Sequence, residues 1–339
     1  PDPPRPSFYK PVKVLFLFLD GVGIGPADSD ENPLLQASLP CLRSLLGGSM
    51  PTLREPACGS DSAQAIPTDA VLGVSGTPQS GTGQTALFSG HNGPALFGRH
   101  FGPWIPVRLR PLLAQNSILA QAQTQGFRCA FGNAYPSQFR QRAWSKRPAG
   151  PPVAAHGAGL LTRDERDLAT GDAVTSEITN QAWITRLGFT NLPDPSPEEA
   201  GRNLATIASG AELTFFAHYG TDTAGHERSM AAGVRALETV DRFLEGLRAA
   251  LEPDTLLVIS SDHGNLEDIT RGHTTNPVFT LVAGPDALRL STGVSRIIDV
   301  PGLILTALAG EHHPAPDDMG TPEREAYLSS RETPIEGPG

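Results

Sequence analysis

Short runs of apolar, β-branched and aromatic residues recur along the chain, separated by longer segments whose apolar positions fall three and four apart. The runs VKVLFLFL (12–19), RCAFGN (128–133), LTFFAHY (213–219), TLLVIS (255–260) and VFTLVAG (278–284) predict buried strands. Helices are predicted between them. One spans roughly 117–125, with Ser117 to cap it and Gly126 to stop it. Another spans about 196–209, where Ser196, Pro197 and Glu199 make a capping box with proline in first position and Gly210 ends the run. From about 227 to 250, Val234, Leu237, Val240, Leu244, Leu247 and Leu251 keep the spacing of a long amphipathic helix. A last helix at about 300–309 has Asp299 as N-cap and Pro301 in its first turn. Strands alternating with helices predict an α/β fold, a mainly parallel central sheet flanked by helices.

The pattern fades from 134 to 195, where the chain is polar, Pro-rich and weakly periodic, and this stretch reads as a small inserted cap domain. The chain then divides into a first core part (1–133), the cap (134–195), a second core part (196–310) and a Pro-, Gly- and Glu-rich tail (311–339). A length of 339 residues accommodates a large α/β domain with one insertion. The longest apolar run, VLFLFL at 14–19, is too short to span a bilayer. A net charge of −10 argues against a nucleic-acid or anionic-membrane partner. It leaves room for an anionic substrate, because a bound metal can reverse the sign locally. The opening PDPPRPSFYK lacks the apolar region of a secretory leader, and Cys41, Cys58 and Cys129 are odd in number and scattered. No disulfide framework is expected, and the cytoplasm is the expected compartment.

Candidate chemistry gathers at strand ends. Asp20 follows the first strand in FLDGVGIG, Asp222 follows the strand at 213–219 in GTDTAGHE, and Asp262 with His263 follows the strand at 255–260. In open α/β sheets ligands bind outside the carboxyl ends of the strands, so these groups are expected at one edge although far apart in sequence. Each alone has an ordinary explanation: Asp-Gly makes turns, and Asp222 with His226 is a common i,i+4 pair. His273, in a Thr- and Asn-rich loop, alone reads as a solvated histidine. Together they amount to a donor set of oxygens and nitrogens that suits two borderline divalent ions, Zn²⁺ or Mn²⁺, better than Ca²⁺ or a single Mg²⁺. The segment GTPQSGTGQTALFSGHN (76–92) reads as a Gly-, Ser- and Thr-rich loop entering a helix N-terminus, which favours anions. A hydroxyl there, beside a divalent ion, would be acidified enough to act as a nucleophile.

The segments LDGVGIG (19–25), TDTAGHE (221–227), SDHGNLED (261–268), GHTTNPV (272–278) and IIDVPGLILTALAG (297–310), in this order, resemble the alkaline phosphatase superfamily. The likeness is greatest to its cofactor-independent phosphoglycerate mutase and phosphopentomutase branch, and it covers roughly two-thirds of the chain. It implies an alkaline-phosphatase-like core and a two-metal phosphoryl-transfer site. One metal would be held by Asp222, His226 and His273, the other by Asp20, Asp262, His263 and the nucleophile oxygen. Aligning SGTGQTALFSG with the mutase segment on Gly90 puts the nucleophile, and a metal ligand, at Thr82, with Ser80 as the fallback. Mn²⁺ or Zn²⁺ is the expected pair, Mg²⁺ a third choice. Arg99 and His100, after that helix, and Arg140, Arg142 and Arg147 in the cap are candidate substrate contacts, solvated charge being the competing reading for the cap arginines.

The mutase serine segment is replaced here by TGQT, and about 140 residues between Thr82 and Asp222 leave no room for the phosphoglycerate mutase insertion. The resemblance therefore points first to a phosphomonoester hydrolase of a small phosphorylated metabolite, working through a phosphothreonine. A phosphomutase, a phosphodiesterase and a non-catalytic metal-binding relative follow, in that order. The Cys/Ser-x-Pro-x-Arg signature of sulfatases is absent.

Overall fold

The computed structural model describes residues 11–140 and 147–310. Strand β1 (Lys13–Leu19) is apolar on both faces, and alternate residues enter two cores. Leu15, Leu17 and Leu19 pack into one, Val14, Phe16 and Phe18 into the other, as expected of a central strand covered on both sides. The other strands are β2 (Cys58–Ser60), β3 (Ala63–Thr68), β4 (Cys129–Phe131), β5 (Leu213–His218), β6 (Thr255–Ser260) and β7 (Val278–Ala283). They form one seven-stranded sheet in the order β2-β3-β7-β6-β1-β5-β4. The pairs β6–β1, β1–β5 and β5–β4 are parallel, while β7, β3 and β2 continue the sheet antiparallel. The expectation of a mainly parallel sheet thus describes its core. The edge pair β2 and β3 carries the short, polar runs CGS and AQAIPT, which give no strand signal.

On one face, the helices Pro197–Ser209 and Met230–Ala250 pack against each other and supply Leu204, Leu237, Val240 and Leu244 to the core. The capping box of Ser196 and Glu199 is formed, as is the Ser117 cap of Ile118–Thr124. The long helix does not start near 227. A separate helix, Gly220–Glu227, ends at Arg228 in the left-handed region (φ 50°), and Ser229 caps the next. On the other face lies helix Ser80–Ser89. Its Phe88 ring sits 5.0 Å from Phe18 and 5.1 Å from Phe215, fixing the helix over the strand ends. The C-terminal helix Val300–Ala309 does not use Asp299 as its side-chain cap; that carboxylate turns back to the Arg296 N–H at 2.9 Å and closes the preceding 3₁₀ turn.

Within 134–195, the described residues form short helices and no strand. Ala134, Leu168, Ala173 and Trp183 make a small core of their own. Helix Gly150–Gly157 departs from the expectation of a separate cap: Val153, Ala154 and Ala155 are buried in the main core. The tail at 311–339, and 141–146 with Arg142, lie outside the described residues. Among the described residues no helix is long and apolar enough to cross a membrane.

Candidate metal centre

The parallel strands β1, β5 and β6 end at one edge, and the candidate ligands follow from their ends. Asp20 is the residue after β1, and its N–H donates to the His218 carbonyl of β5 at 3.0 Å. Asp262 and His263 follow β6, while Asp222 and His226 lie one turn apart on helix Gly220–Glu227, just beyond β5. The chain from Asp262 then loops back so that Gly264 bridges Thr274, delivering His273. Two triads result, Asp20–Asp262–His263 and Asp222–His226–His273, the donor atoms of each lying within 4.8 Å of one another. The structure thus brings together, in two clusters, the six residues that the sequence offers as candidate ligands.

In the first triad His263 Nε2 lies 3.3 Å from Asp20 Oδ1 and 3.7 Å from Asp262 Oδ2. In the second, His226 Nε2 is 3.2 Å from Asp222 Oδ2, and His273 Nε2 is 3.7 Å from Asp222 Oδ1 and 3.3 Å from His226 Nε2. The two triads adjoin through the stacked rings of His263 and His273, whose centroids are 4.0 Å apart. Hydrogen bonds select the tautomers. His273 Nδ1–H donates to the Pro78 carbonyl at 3.1 Å and His263 Nδ1–H to the Gly264 carbonyl at 3.3 Å, leaving each Nε2 lone pair turned to its carboxylates.

The electrostatics call for cations. Asp20 Oδ1 and Asp262 Oδ2 are buried without a hydrogen-bond partner, although nearly every such atom in a folded protein has one. Burial, then the Asp222 charge, pushes the Asp20 carboxyl well above its usual range, opposed by the adjoining Asp262 carboxyl and the hydrogen bond from Gln84. Burial, then the Asp20 charge, does the same to Asp262. Burial, with His263 alongside, pushes His273 down to about 4, which keeps its ring neutral. A neutral His273 imidazole and crowded carboxylates with orphaned oxygens fit divalent cations.

Thr82 is not brought to this centre. The helix begins at Ser80, so Thr82 already lies within its first turn, about 200° around the axis from Ser80. Its buried hydroxyl accepts the Phe101 N–H at 3.1 Å, and its N–H donates to the Phe101 carbonyl at 2.9 Å. Ser80 faces the ligands instead, its Oγ 3.0 Å from His263 Nε2. Ser80, His226 and His273 line a cleft of about 430 Å³ together with Thr77, Gln79 and Pro103. Arg99 and His100 line an adjoining cleft of about 380 Å³ that shares Thr77 and Gln79 with the first. Arg147 stacks on Trp104 at 4.5 Å, and Arg140 closes the short helix Ser137–Arg140.

Two supporting residues escape the sequence. Asn265 donates to Asp222 Oδ1 at 2.7 Å. Glu267, wholly buried, accepts from Gly23 N–H at 3.0 Å, Asn265 N–H at 2.7 Å, Asn276 Nδ2 at 3.1 Å and the Thr274 hydroxyl, tying the Asp20 loop to the His273 loop. The glycine spacing of GVGIG follows from this packing. A Cβ on Gly21 (φ 68°) would strike the Asp222 side chain, and one on Gly23 the Glu267 carboxylate. The acid five residues after Asp262, opposite a glycine-spaced loop, was the only signal for Glu267.

Fold and site together define a candidate metal centre of two adjoining triads at the carboxyl edge of an α/β sheet. Residues 196–308 match the model of the Metalloenzyme superfamily. The chain is similar to the 2,3-bisphosphoglycerate-independent phosphoglycerate mutase of Paracoccus denitrificans, 35% identical over 120 residues, which cover 32% of this chain and 23% of that one. The same enzyme of Agrobacterium fabrum is 35% identical over 124 residues, 33% of this chain and 23% of the other. The matches thus span about a quarter of these relatives. Among solved structures, the PH0037 protein from Pyrococcus horikoshii is similar in fold, with a TM-score of 0.56 and 13% identity over 90% of this chain and 98% of that one. A cold-active alkaline phosphatase from a psychrophilic Shewanella has a TM-score of 0.50 and 12% identity, covering 86% of this chain and 99% of its own. The family match over residues 196–308, the mutase relatives and the shared fold agree with the resemblance to the alkaline phosphatase superfamily near its cofactor-independent mutase branch.

Proposed function

We propose that the protein is a two-metal phosphomonoester hydrolase of a small phosphorylated metabolite, with Ser80 rather than Thr82 as nucleophile. The observation that carries this is a serine hydroxyl 3.0 Å from His263 of one triad, in an open cleft that His226 and His273 of the other also line. Asp222, His226 and His273 would hold one ion and Asp20, Asp262 and His263 the other. When bound, such a pair supplies positive charge that acidifies the hydroxyl and offsets the charge developing on the transferring phosphoryl group. Ser80 Oγ, at the first position of a helix whose N-terminus favours anions, attacks phosphorus in line. The bond from phosphorus to the substrate alcohol breaks, the alcohol leaves with a proton, and a phosphoserine remains. Water hydrolyses it to free phosphate. Water has access, since the His226 side chain is 57% exposed at the cleft. The Arg99–His100 cleft would take the remainder of the substrate.

A phosphomutase is the second reading, favoured by the mutase relatives. A panel of phosphosugars and phosphoglycerates assayed with Mn²⁺, Zn²⁺ and Mg²⁺ separates the two. Release of inorganic phosphate without isomer supports the hydrolase, and isomer without phosphate replaces it with the mutase. Turnover that is indifferent to a chelator refutes both.

A further inference from the structure

Helix Ser80–Ser89 turns more than its serine toward the ligands. Gln84, one turn on and on the same face, is wholly enclosed, and both ends of its carboxamide are engaged. Its Nε2 donates to Asp20 Oδ2 at 3.1 Å, and its Oε1 accepts the Gly150 N–H at 2.8 Å. The second bond settles which way round the amide sits. Gly150 offers only a donor, so the oxygen must face it and the NH₂ must face Asp20. The consequence for Asp20 is asymmetric. Oδ2 is occupied by Gln84, while Oδ1 is buried with no hydrogen-bond partner and points to within 3.3 Å of His263 Nε2. Gly150 is equally constrained, because a Cβ there would lie 2.8 Å from Gln84 Cβ and 3.0 Å from Phe88. It opens helix Gly150–Gly157, which packs into the main core.

We infer that Gln84 is a positioning residue for the metal centre. It holds Asp20 so that a single oxygen, Oδ1, is offered to the cation, and it makes that orientation depend on the docking of helix Gly150–Gly157. A side chain of this length at this position is required for the reach. Asparagine would fall short of Asp20, and glutamate would set a second carboxylate against Oδ2 in place of the donor. The inference rests on the Asp20 triad taking a cation, and the test reads that premise separately.

Metal-free full-length protein, wild type and Gln84→Met, is titrated calorimetrically with Zn²⁺ and with Mn²⁺. Methionine keeps the length and bulk and removes both hydrogen bonds. Wild type is expected to bind two ions. In Gln84→Met one of them should bind 10–100-fold more weakly, the usual effect of removing a partner that orients a ligand, and the other should keep its affinity within about twofold. Gln84→Glu should change the affinity of the same ion and leave the other within about twofold, a one-site selectivity that a purely structural role would not give. Gly150→Ala, which touches no ligand, should weaken that ion too. If Gln84→Met does not fold, as judged by its metal-free melting curve, Gln84→Glu gives the same reading with the side-chain size unchanged. Two ions bound at wild-type affinity by both Gln84 variants would overturn the inference. Failure of wild type to bind any ion would remove it together with the proposed function.

Discussion

Replacing Ser80 and Thr82 one at a time separates two hydroxyls that are two residues apart and on opposite sides of one helix. Ser80→Ala removes the oxygen 3.0 Å from His263 Nε2 and leaves the packing of the helix intact. Its stability should fall by no more than the about 1 kcal/mol of one hydrogen bond. Its kcat/KM on any active phosphomonoester should fall at least about 10³-fold, equivalent to about 4 kcal/mol of barrier. Thr82→Val should do the reverse. The variant keeps the side-chain shape but leaves the Phe101 N–H, now paired at 3.1 Å, without an acceptor in the interior. The loss is about 1–3 kcal/mol of stability, with kcat/KM changed by less than about tenfold, since the hydroxyl faces away from the ligands. Urea midpoints give the first quantity and initial rates the second. Acid-quenching the enzyme with ³²P-labelled substrate adds a direct mark, because label should appear on a peptide containing Ser80 in wild type and in Thr82→Val but not in Ser80→Ala. A fully active Ser80→Ala beside a stable, inactive Thr82→Val would refute the helix phase on which the site is built.

Three further outcomes follow from the same residues. Asp20→Asn should raise the stability of the metal-free protein by about 1 kcal/mol at pH 7, since it removes a crowded buried charge, and should reduce the rise in Tm that Zn²⁺ or Mn²⁺ gives wild type to the part the Asp222 triad supplies; a metal response equal to wild type would contradict the assignment. Glu267→Gln turns an amide NH₂ toward groups that all donate, so its urea midpoint should drop by the equivalent of about 1–3 kcal/mol; an unchanged midpoint would show that the two loops are held otherwise. His218 is buried, with Nδ1–H donating to the Ser176 carbonyl at 2.7 Å, and burial pushes it down to about 4 from an ordinary 6.5. Its folded pKa is the lower, so the unfolded chain binds the extra proton between these values. Nothing is lost above pH 6.5, and about 3 kcal/mol of stability is lost by pH 4. Chelator-treated wild type and His218→Asn, unfolded in urea at pH 7 and pH 4.5, should differ in pH slope in that direction, and parallel slopes would refute it.

The carboxylates and histidines were legible because their addresses are topological. A ligand directly after a buried parallel strand has its place set by the strand, and strands are legible from apolar runs. Asp20, Asp262 and His263 gather at one sheet edge for that reason, and Asp222 with His226 needs only the next helical turn. The proposed nucleophile was not legible in the same way, because a two-residue error on a helix is an error of about 200°. SGTGQ has the composition of a loop, yet it is helical from Ser80, and its glycines are there for tertiary reasons. A Cβ on Gly81 would strike the Trp104 carbonyl, and one on Gly83 would lie 2.7 Å from the Asp262 carbonyl. Local propensity therefore argued for a flexible turn, whereas close approach of the helix to the β6 loop demanded glycine within a helix. Once the helix starts at Ser80, residues 80, 83 and 84 share the face that meets the candidate ligands: a hydroxyl beside His263, a gap for the Asp262 backbone and an amide for Asp20. Thr82 belongs to the opposite face, where its hydroxyl holds the chain at Phe101. The segment is one in which the residues that look catalytic and those that look like spacers exchange roles when the helix phase is known.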